Sequence, residues 1–352
     1  MVSSRGIWCA GLGLTSLLLL LYLHLATELS NLHTVLRLAG APVHTSFLHG
    51  SLGLGGSGQV GSKTLDLEEL VIIYNRVPKT GSTSLIGLAY DLCSINGFNV
   101  IHINTSRNSP TLSLSDQMKF VYNVSNWSEK KPGVYHGHLA YIDFARFGVS
   151  RVPVYINVVR APLDRLVSYF YFLRYGDDLR PNLVRKRQGD KMTLDECVLK
   201  QHVDCSASRL WIQVPFFCGQ HAECWVPGSE WALQQAKHNL VAHYLLVGIT
   251  EEMESFVALL EGALPRVFHG ALQLYQRGNK SHLRRTVRKV MPSEDTIARL
   301  QNTKVWRLEN DFYHFAAEQF HFTARKGLTL DAGRLALKRN NFNYEKIKPK
   351  PN

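Results

Sequence analysis

Short apolar, β-branched runs recur through the middle of the chain, each closed by a polar junction and most followed by a segment of helical spacing. The first, Leu70 to Ile73, leads into Tyr74-Asn75-Arg76-Val77-Pro78-Lys79-Thr80-Gly81-Ser82-Thr83-Ser84, and Ser84 to Cys93 then repeats small and apolar residues at helical intervals. Strand, tight loop and helix is the order this predicts. Val100 to Ile103 predicts a second strand, Ser113 to Tyr122 a helix, and Val134 to His138 a short strand. Val152 to Arg160 is nearly continuous in apolar residues, as in a strand buried inside a parallel sheet, and Pro162 is placed to open a helix. Further helical runs cover Trp231 to Asn239, Glu251 to Leu260 and Val305 to Phe320. The pattern therefore predicts an α/β fold: a P-loop-like parallel sheet flanked by helices on both faces, with ligands at the carboxyl ends of the strands. It does not give the strand order.

The amino-terminal pattern is different. Ile7 to Ala26 carries no formal charge, is rich in leucine and follows Arg5. That is the length of one membrane-spanning helix. A cleaved signal peptide fits less well, because the run exceeds a usual signal core and no small-x-small cleavage site follows. Ser46 to Lys63 then has the glycine- and serine-rich composition of a flexible linker. The expected organisation is a cytoplasmic tail over 1–6, a transmembrane signal anchor over 7–26, a stem over 27–64 and a lumenal domain over 65–352.

A lumenal setting changes how composition and charge are read. The 352 residues are 45% hydrophobic, enough for a substantial core, and carry a net charge of +12. The charge clusters between Arg180 and Arg187 and between Lys280 and Lys289. In a secretory lumen nucleic acid is absent, and the abundant polyanions are sulfated glycosaminoglycans, bound by the same electrostatics. Of six cysteines, Cys9 falls in the expected span and Cys93 on the helix after the loop, where a small buried thiol is expected. Cys197, Cys205, Cys218 and Cys224 form a cluster that should pair in an oxidising compartment. Three pairings are possible, with the local Cys197–Cys205 and Cys218–Cys224 favoured. Of the sequons at Asn104, Asn123, Asn126 and Asn279, Asn104 and Asn123 are the expected glycosylation sites.

The loop at Lys79 has the makings of an anion site. A glycine-bearing turn into a helix aims main-chain N–H groups and a positive helix end at one point, with Lys79 and hydroxyl residues beside them. Its spacing excludes a nucleoside-triphosphate P-loop, which places lysine after the glycines and needs a magnesium partner. In Tyr135-His136-Gly137-His138 two imidazoles at i and i+2 can share one face of a strand, with a glycine between them for close approach. Arg160, at a strand end, and Ser168, on the following helix, can converge on a second anion.

Together Tyr74-Asn75-Arg76-Val77-Pro78-Lys79-Thr80, Tyr135-His136-Gly137-His138, Tyr155-Ile156-Asn157-Val158-Val159-Arg160 and Arg165-Leu166-Val167-Ser168-Tyr169 resemble the heparan sulfate 2-O-sulfotransferase family. Tyr175-Gly176-Asp177-Asp178-Leu179-Arg180-Pro181, Gln188-Gly189-Asp190-Lys191 and Asn341-Phe342-Asn343-Tyr344-Glu345-Lys346-Ile347 extend the similarity from about Leu70 to the C-terminal region. These enzymes use 3′-phosphoadenosine 5′-phosphosulfate (PAPS), and the resemblance implies the sulfotransferase fold and PAPS as donor, with no metal. It implies that Lys79, Thr80, Gly81, Ser82 and Thr83 wrap the 5′-phosphosulfate, and that Lys79 stabilises charge on the bridging oxygen as the sulfuryl group leaves. Arg160 and Ser168 would hold the 3′-phosphate, and Tyr275, Ser281, Thr286 and Lys289 the rest of the nucleotide. His138 would be the general base, suited by an ordinary imidazole pKa of about 6.5, with His136 assisting.

For the acceptor, the resemblance points to Arg76, Tyr90, His102, Asn108, Asp177, Arg180, Arg185, Arg284 and Lys346, whose cationic members suit the carboxylates and sulfates of heparan sulfate. It also implies a homotrimer anchored in the Golgi membrane as a single-pass type II protein, with the 2-hydroxyl of iduronate, less often glucuronate, as target. Gly81 stands where the family is expected to carry alanine. The Asn279 sequon falls inside the proposed nucleotide loop and is expected to stay unglycosylated. The competing readings are a dermatan or chondroitin uronyl 2-O-sulfotransferase and a non-catalytic heparan-binding protein on the same fold. A lumenal kinase fails on motif spacing and missing metal carboxylates.

Overall fold

The structure is a computed structural model that describes residues 67–278, 286–331, 333–338 and 342. The tail, span and stem expected over 1–64 lie outside the described residues. Among the described residues no helix is long and apolar enough to cross a membrane.

The centre is a five-stranded sheet in the order β2-β3-β1-β4-β5. Its strands are β1 (Val71–Asn75), β2 (Asn99–Ile103), β3 (Gly133–Gly137), β4 (Val154–Val159) and β5 (Tyr244–Ile249). All the pairings within it are parallel. The expected strands are present, with small changes at their ends: β1 runs on to Asn75, and β3 stops at Gly137, leaving His138 just beyond it. The order places β1 in the middle, between β3 and β4, so the Lys79 loop and Arg160 leave neighbouring strands at the same edge of the sheet.

The helices that flank the sheet follow the helical spacing of the sequence. They are α1 (Ser82–Leu92), α2 (Leu114–Asn126), α3 (Pro162–Tyr175), α4 (Leu194–Leu199), α5 (Gln213–Cys218), α6 (Glu230–His243), α7 (Met253–Ala263), α8 (Pro265–Phe268), α9 (Ala271–Arg277), α10 (Glu294–Gln301) and α11 (Lys304–Gly327). Pro162 opens α3, where its missing N–H costs nothing and its fixed φ suits the first turn. Ser113, Ser229, Ser293 and Thr303 each cap a helix by accepting a main-chain N–H with the side-chain hydroxyl. A short antiparallel hairpin, β6 (Leu328–Asp331) and β7 (Arg334–Leu337), follows α11.

The core gathers Ile72, Ile73, Val134, Ile156 and Val158 from the strands with Leu85, Leu88, Phe256, Leu260, Phe312 and Phe320 from the helices. One polar network lies inside it. Asn157 Nδ2 donates to the main-chain and side-chain oxygens of Asn75 at 2.8 and 2.9 Å, and Tyr244 donates its hydroxyl to Asn75 Oδ1 at 3.0 Å. Asn75 in turn donates to the Phe216 carbonyl at 3.2 Å. These bonds tie β1, β4, β5 and α5 together directly beneath the Lys79 loop. A buried network satisfied in this way favours one register over its neighbours, because a slip would strand its polar groups.

Both expected disulfides, Cys197–Cys205 and Cys218–Cys224, are formed. Cys93 is a free thiol and half-buried rather than fully enclosed, because it lies at the carboxyl end of α1, where the helix surfaces.

Candidate active site

The loop between β1 and α1 is bent by two residues in the left-handed region, Lys79 at φ 70° and Gly81 at φ 76°. The second is glycine for a local reason. A Cβ there would meet Met253 Cε at 3.0 Å and Thr250 Cγ2 at 3.4 Å, besides carrying the cost of a positive φ. Lysine at the first position stores strain of the kind found where a loop must present its side chain to a site. Gly81 caps α1 with no side-chain hydrogen bond; the Ser84 N–H donates to the Gly81 carbonyl at 3.1 Å, so it is the N–H groups of Ser82 and Thr83 that the helix start offers a ligand. Thr80 is different from its neighbours: its hydroxyl donates to the Val77 carbonyl at 3.0 Å and the residue is fully buried, holding the loop in shape.

Arg160 arrives from β4. Its Nη1 donates to the Lys79 carbonyl at 3.3 Å, joining the two strand-to-helix junctions. Ser168, one helical stretch further along α3, has its Oγ 3.2 Å from Thr286 Oγ1. The same threonine oxygen accepts from Lys79 Nζ at 3.0 Å. Lys79 Nζ also stands 4.3 Å from the centre of the Phe172 ring. Thr286, distant in sequence, thus meets residues from both junctions.

The histidines occupy two layers. Gly137 lets β3 approach β2 closely, since a Cβ there would lie 2.4 Å from the Ile103 carbonyl oxygen. His138 Nδ1 is 2.8 Å from the Arg76 carbonyl oxygen, which can only accept. The hydrogen is therefore assigned to Nδ1, and Nε2 carries the lone pair, 3.4 Å from Arg76 Nη2. His136 lies behind. Its Nε2 is 3.0 Å from the Tyr90 hydroxyl, and its ring stacks on His102 at 4.9 Å, the residue opposite it in the parallel register. Burial, reinforced by the charges of Arg76, His102 and His138, pulls the His136 pKa down to about 3, so it stays neutral. Burial, then Arg76 and Arg180, also lowers His102.

The basic arm after α3 is organised by an acidic residue. Asp177 is buried, with Oδ2 2.7 Å from Arg185 Nη2 and Oδ1 accepting from the Arg180 N–H at 3.0 Å. Arg185 also packs on Phe172, 4.5 Å from the ring centre, so that ring carries both Arg185 and Lys79. Further back, Arg174 is buried between Asp190 at 2.9 Å and Asp204 at 3.3 Å, and Arg187 reaches Asp204 at 2.9 Å. The arm's outer arginine, Arg180, is exposed.

These elements enclose a cavity of about 1420 Å³ at the carboxyl ends of β1 and β4. Of the residues expected at the site, Arg76, Lys79, Gly81, Ser82, Thr83, Asn108, His138, Arg160, Ser168, Arg180, Tyr275, Thr286 and Lys289 line it. Thr80, His136, Tyr90, His102, Asp177 and Arg185 are not among the lining residues: Asp177 and Arg185 touch Arg180 and Phe172 of the lining, while Tyr90 and His102 touch His136. Ser281, Arg284, Lys346 and the Asn279 sequon lie outside the described residues. Asn104 and Asn123 are exposed. Asn108 and the preceding Arg107 both have positive φ, at 54° and 53°, a strained pair at the cavity mouth.

The cations of the lining suit a nucleotide with two anionic groups: an open helix end with Lys79 on one side, Arg160, Ser168 and Lys289 on the other, with Ile212, Phe216 and Met253 as apolar lining and Asp164, Glu251, Glu252 and Glu254 as its carboxylates. Residues that the sequence patterns did not single out support this arrangement, chiefly Gln213, Thr250 and Glu251 around Arg160. No local motif marks them, because their partners lie far away in the chain.

A family model described as the sulfotransferase family matches residues 63–316. The chain is 57% identical to heparan sulfate 2-O-sulfotransferase 1 of Homo sapiens over 290 residues, 82% of each chain. It is 57% identical to the protein of that name from Gallus gallus, covering 81% of this chain and 80% of the relative. It is 56% identical to the heparin sulfate O-sulfotransferase of Drosophila melanogaster, over 80% of each. With the two strand-to-helix junctions meeting in one cavity beside His138, the chain belongs to the sulfotransferase family, in the branch of the heparan sulfate 2-O-sulfotransferases.

Proposed function

We propose that this protein transfers a sulfuryl group from PAPS to the 2-hydroxyl of iduronate, less often glucuronate, in heparan sulfate. The observation that carries the reading is the meeting of Lys79, Arg160, Ser168 and His138 in one cavity. The relatives' names supply the acceptor.

PAPS, when bound, supplies an activated sulfuryl group. The N–H groups at the start of α1 and Lys79 Nζ would hold its 5′ end, and Arg160, Ser168 and Lys289 its 3′-phosphate. Lys79 would give up Thr286 for the donor and balance the negative charge that develops as the sulfur–oxygen bond to the nucleotide breaks. His138 Nε2, the lone-pair nitrogen, would take the proton of the sugar hydroxyl while the Arg76 carbonyl holds Nδ1–H and fixes the ring. His136, enclosed by Tyr90 and His102 and held neutral, would buttress this layer rather than accept the proton. Arg76, Asn108 and Arg180 offer contacts to the anionic polymer at the cavity mouth, with Arg185 ordered by Asp177 beside them.

The uncharged run over 7–26 supports a type II anchor in the Golgi membrane with the catalytic domain lumenal, and the two disulfides suit that compartment. A homotrimer rests on the resemblance alone. The test is transfer from radiolabelled PAPS to N-sulfated heparan and to dermatan, offered separately, with disaccharide analysis of the product. Label on the 2-position of iduronate in heparan is expected. Label mainly in dermatan would move the specificity to the uronyl enzymes of that polymer, and no label from a folded, nucleotide-binding protein would defeat the catalytic reading.

A further inference from the structure

The turn from β4 into α3, Val159-Arg160-Ala161, is held by side chains from elsewhere in the chain. Thr250 Oγ1 donates to the Val159 carbonyl at 3.0 Å, and Glu251 Oε1 accepts from the Ala161 N–H at 3.0 Å. Gln213 grips the residue between them at both of its main-chain groups. Its Oε1 accepts from the Arg160 N–H at 2.9 Å, and its Nε2 donates to the Arg160 carbonyl at 2.9 Å. A single carboxamide thus forms two bonds to one residue, which fixes the peptide planes on either side of Arg160 and with them the direction of its Cα–Cβ bond.

Gln213 is fully buried and is not among the residues that line the cavity. Its own place is set from α11, where Glu309 accepts from the main-chain N–H groups of Ile212 at 2.8 Å, Val214 at 3.1 Å and Gln213 at 3.3 Å. A buried amide bonded to one turn at both of its ends is costly to leave unpaired, and its side chain also hydrogen-bonds Glu309, so the clamp is stiff. The chain of contact runs from α11 through α5 to Arg160, and the Arg160 guanidinium then reaches the Lys79 carbonyl at the cavity.

We propose that Gln213 is a positioning residue for the donor: by clamping the main chain of Arg160 it aims the guanidinium at the 3′-phosphate and sets the preference for a 3′-phosphorylated nucleotide. The proposal rests on the reading of Arg160 as the 3′-phosphate ligand. A general structural role would weaken all nucleotides alike, whereas an aiming role acts on one phosphate.

Calorimetric binding of adenosine 3′,5′-bisphosphate and of adenosine 5′-monophosphate to the full-length chain in detergent separates the two. Gln213→Ala should weaken the bisphosphate about tenfold, as expected when roughly two ordinary hydrogen bonds no longer hold the arginine, and leave the monophosphate within about twofold. Arg160→Ala should abolish the preference, and Gln213→Ala added to it should change nothing further. Gln213→Met, which keeps the volume, gives the same comparison if the alanine variant does not fold. In turnover, KM for PAPS should rise with kcat little changed. Equal weakening of both nucleotides, or an unchanged preference, in a variant that melts like the parent would overturn the role of Gln213. An unchanged preference in Arg160→Ala would instead overturn the assignment of Arg160.

Discussion

His138 Nδ1 lies 2.8 Å from the carbonyl oxygen of Arg76, while the guanidinium of the same arginine stands 3.4 Å from the other ring nitrogen. One residue therefore both fixes the tautomer and flanks the lone pair. Removing the imidazole should remove proton transfer without touching the donor cradle. His138→Ala is expected to lower kcat by about 10²–10⁴-fold, the usual worth of a general base, with bisphosphate affinity within about twofold of the parent. A variant that loses nucleotide binding to the same degree would place His138 in the donor site instead.

Phe172 carries both Lys79, proposed for the donor, and Arg185, proposed for the acceptor. Cation–π contacts of this kind contribute about 0.5–2 kcal/mol each. Phe172→Leu keeps most of the volume but loses the ring, so KM should rise for PAPS and for heparan together, each by a few-fold. A rise for one substrate alone would mean that the ring serves only that side.

Asp177 is enclosed and pairs with Arg185 while holding the Arg180 main chain. Removing one partner of a buried pair leaves the other charge uncompensated, at a cost of about 3–5 kcal/mol. Asp177→Asn keeps hydrogen bonding and loses the charge, so it is the gentler probe. Its expected effect is a weaker glycan affinity, read in a heparin-affinity elution profile, with the melting temperature lowered by several degrees. An unchanged elution profile would show that the arm is ordered without this contact.

Acid and alkali should act on different groups. Burial lowers His136 from 6.5 to about 3, so the folded chain resists a proton that the unfolded chain accepts. Its contribution is present above pH 6.5 and is lost as pH falls toward 3. Burial raises Glu309 from 4.5 to about 7, outweighing the pull of Arg165 and of the N–H groups it accepts. Its contribution is present below pH 4.5 and is lost as pH rises through 7. Melting temperatures between pH 4 and 8 should therefore show a flatter acid limb in His136→Gln and a flatter alkaline limb in Glu309→Gln. Profiles parallel to the parent in both variants would contradict these shifts.

The disulfide Cys197–Cys205 closes a loop containing Asp204, which pairs with Arg174 and Arg187 behind the basic arm. Closing a loop of this size contributes about 2–3 kcal/mol. The double change Cys197→Ala, Cys205→Ala should lower the melting temperature and weaken heparin retention while sparing nucleotide affinity. Loss of both bindings would extend the influence of the loop to the donor side.

The order of strand, loop and helix at both junctions was legible from residues alone, and the local pairing of the cysteines was the favoured one of three. The elements depend on neighbours a few positions apart, whose spacing of two or 3.6 residues registers directly in the sequence. Gly137 belongs here too, as a position where a tight backbone demanded the smallest residue. The strand order was not legible. That β4 lies beside β1, bringing Arg160 to Lys79, follows from pairing and burial across some eighty residues, and a buried parallel strand has the same apolar composition wherever it sits.

Nor could local pattern foresee which polar residues would turn inward. Gln213 and Glu309 read as ordinary helix formers, and only the folded chain brings one to the Arg160 main chain and the other to the N–H groups of residues 212–214. Asp177 lies in a charged stretch that reads as solvated, yet packing encloses it against Arg185. The sequence by itself determined which residues the junctions carry. The tertiary structure decided how those residues are aimed, because a buried hydrogen bond has meaning only when its distant partner is in place.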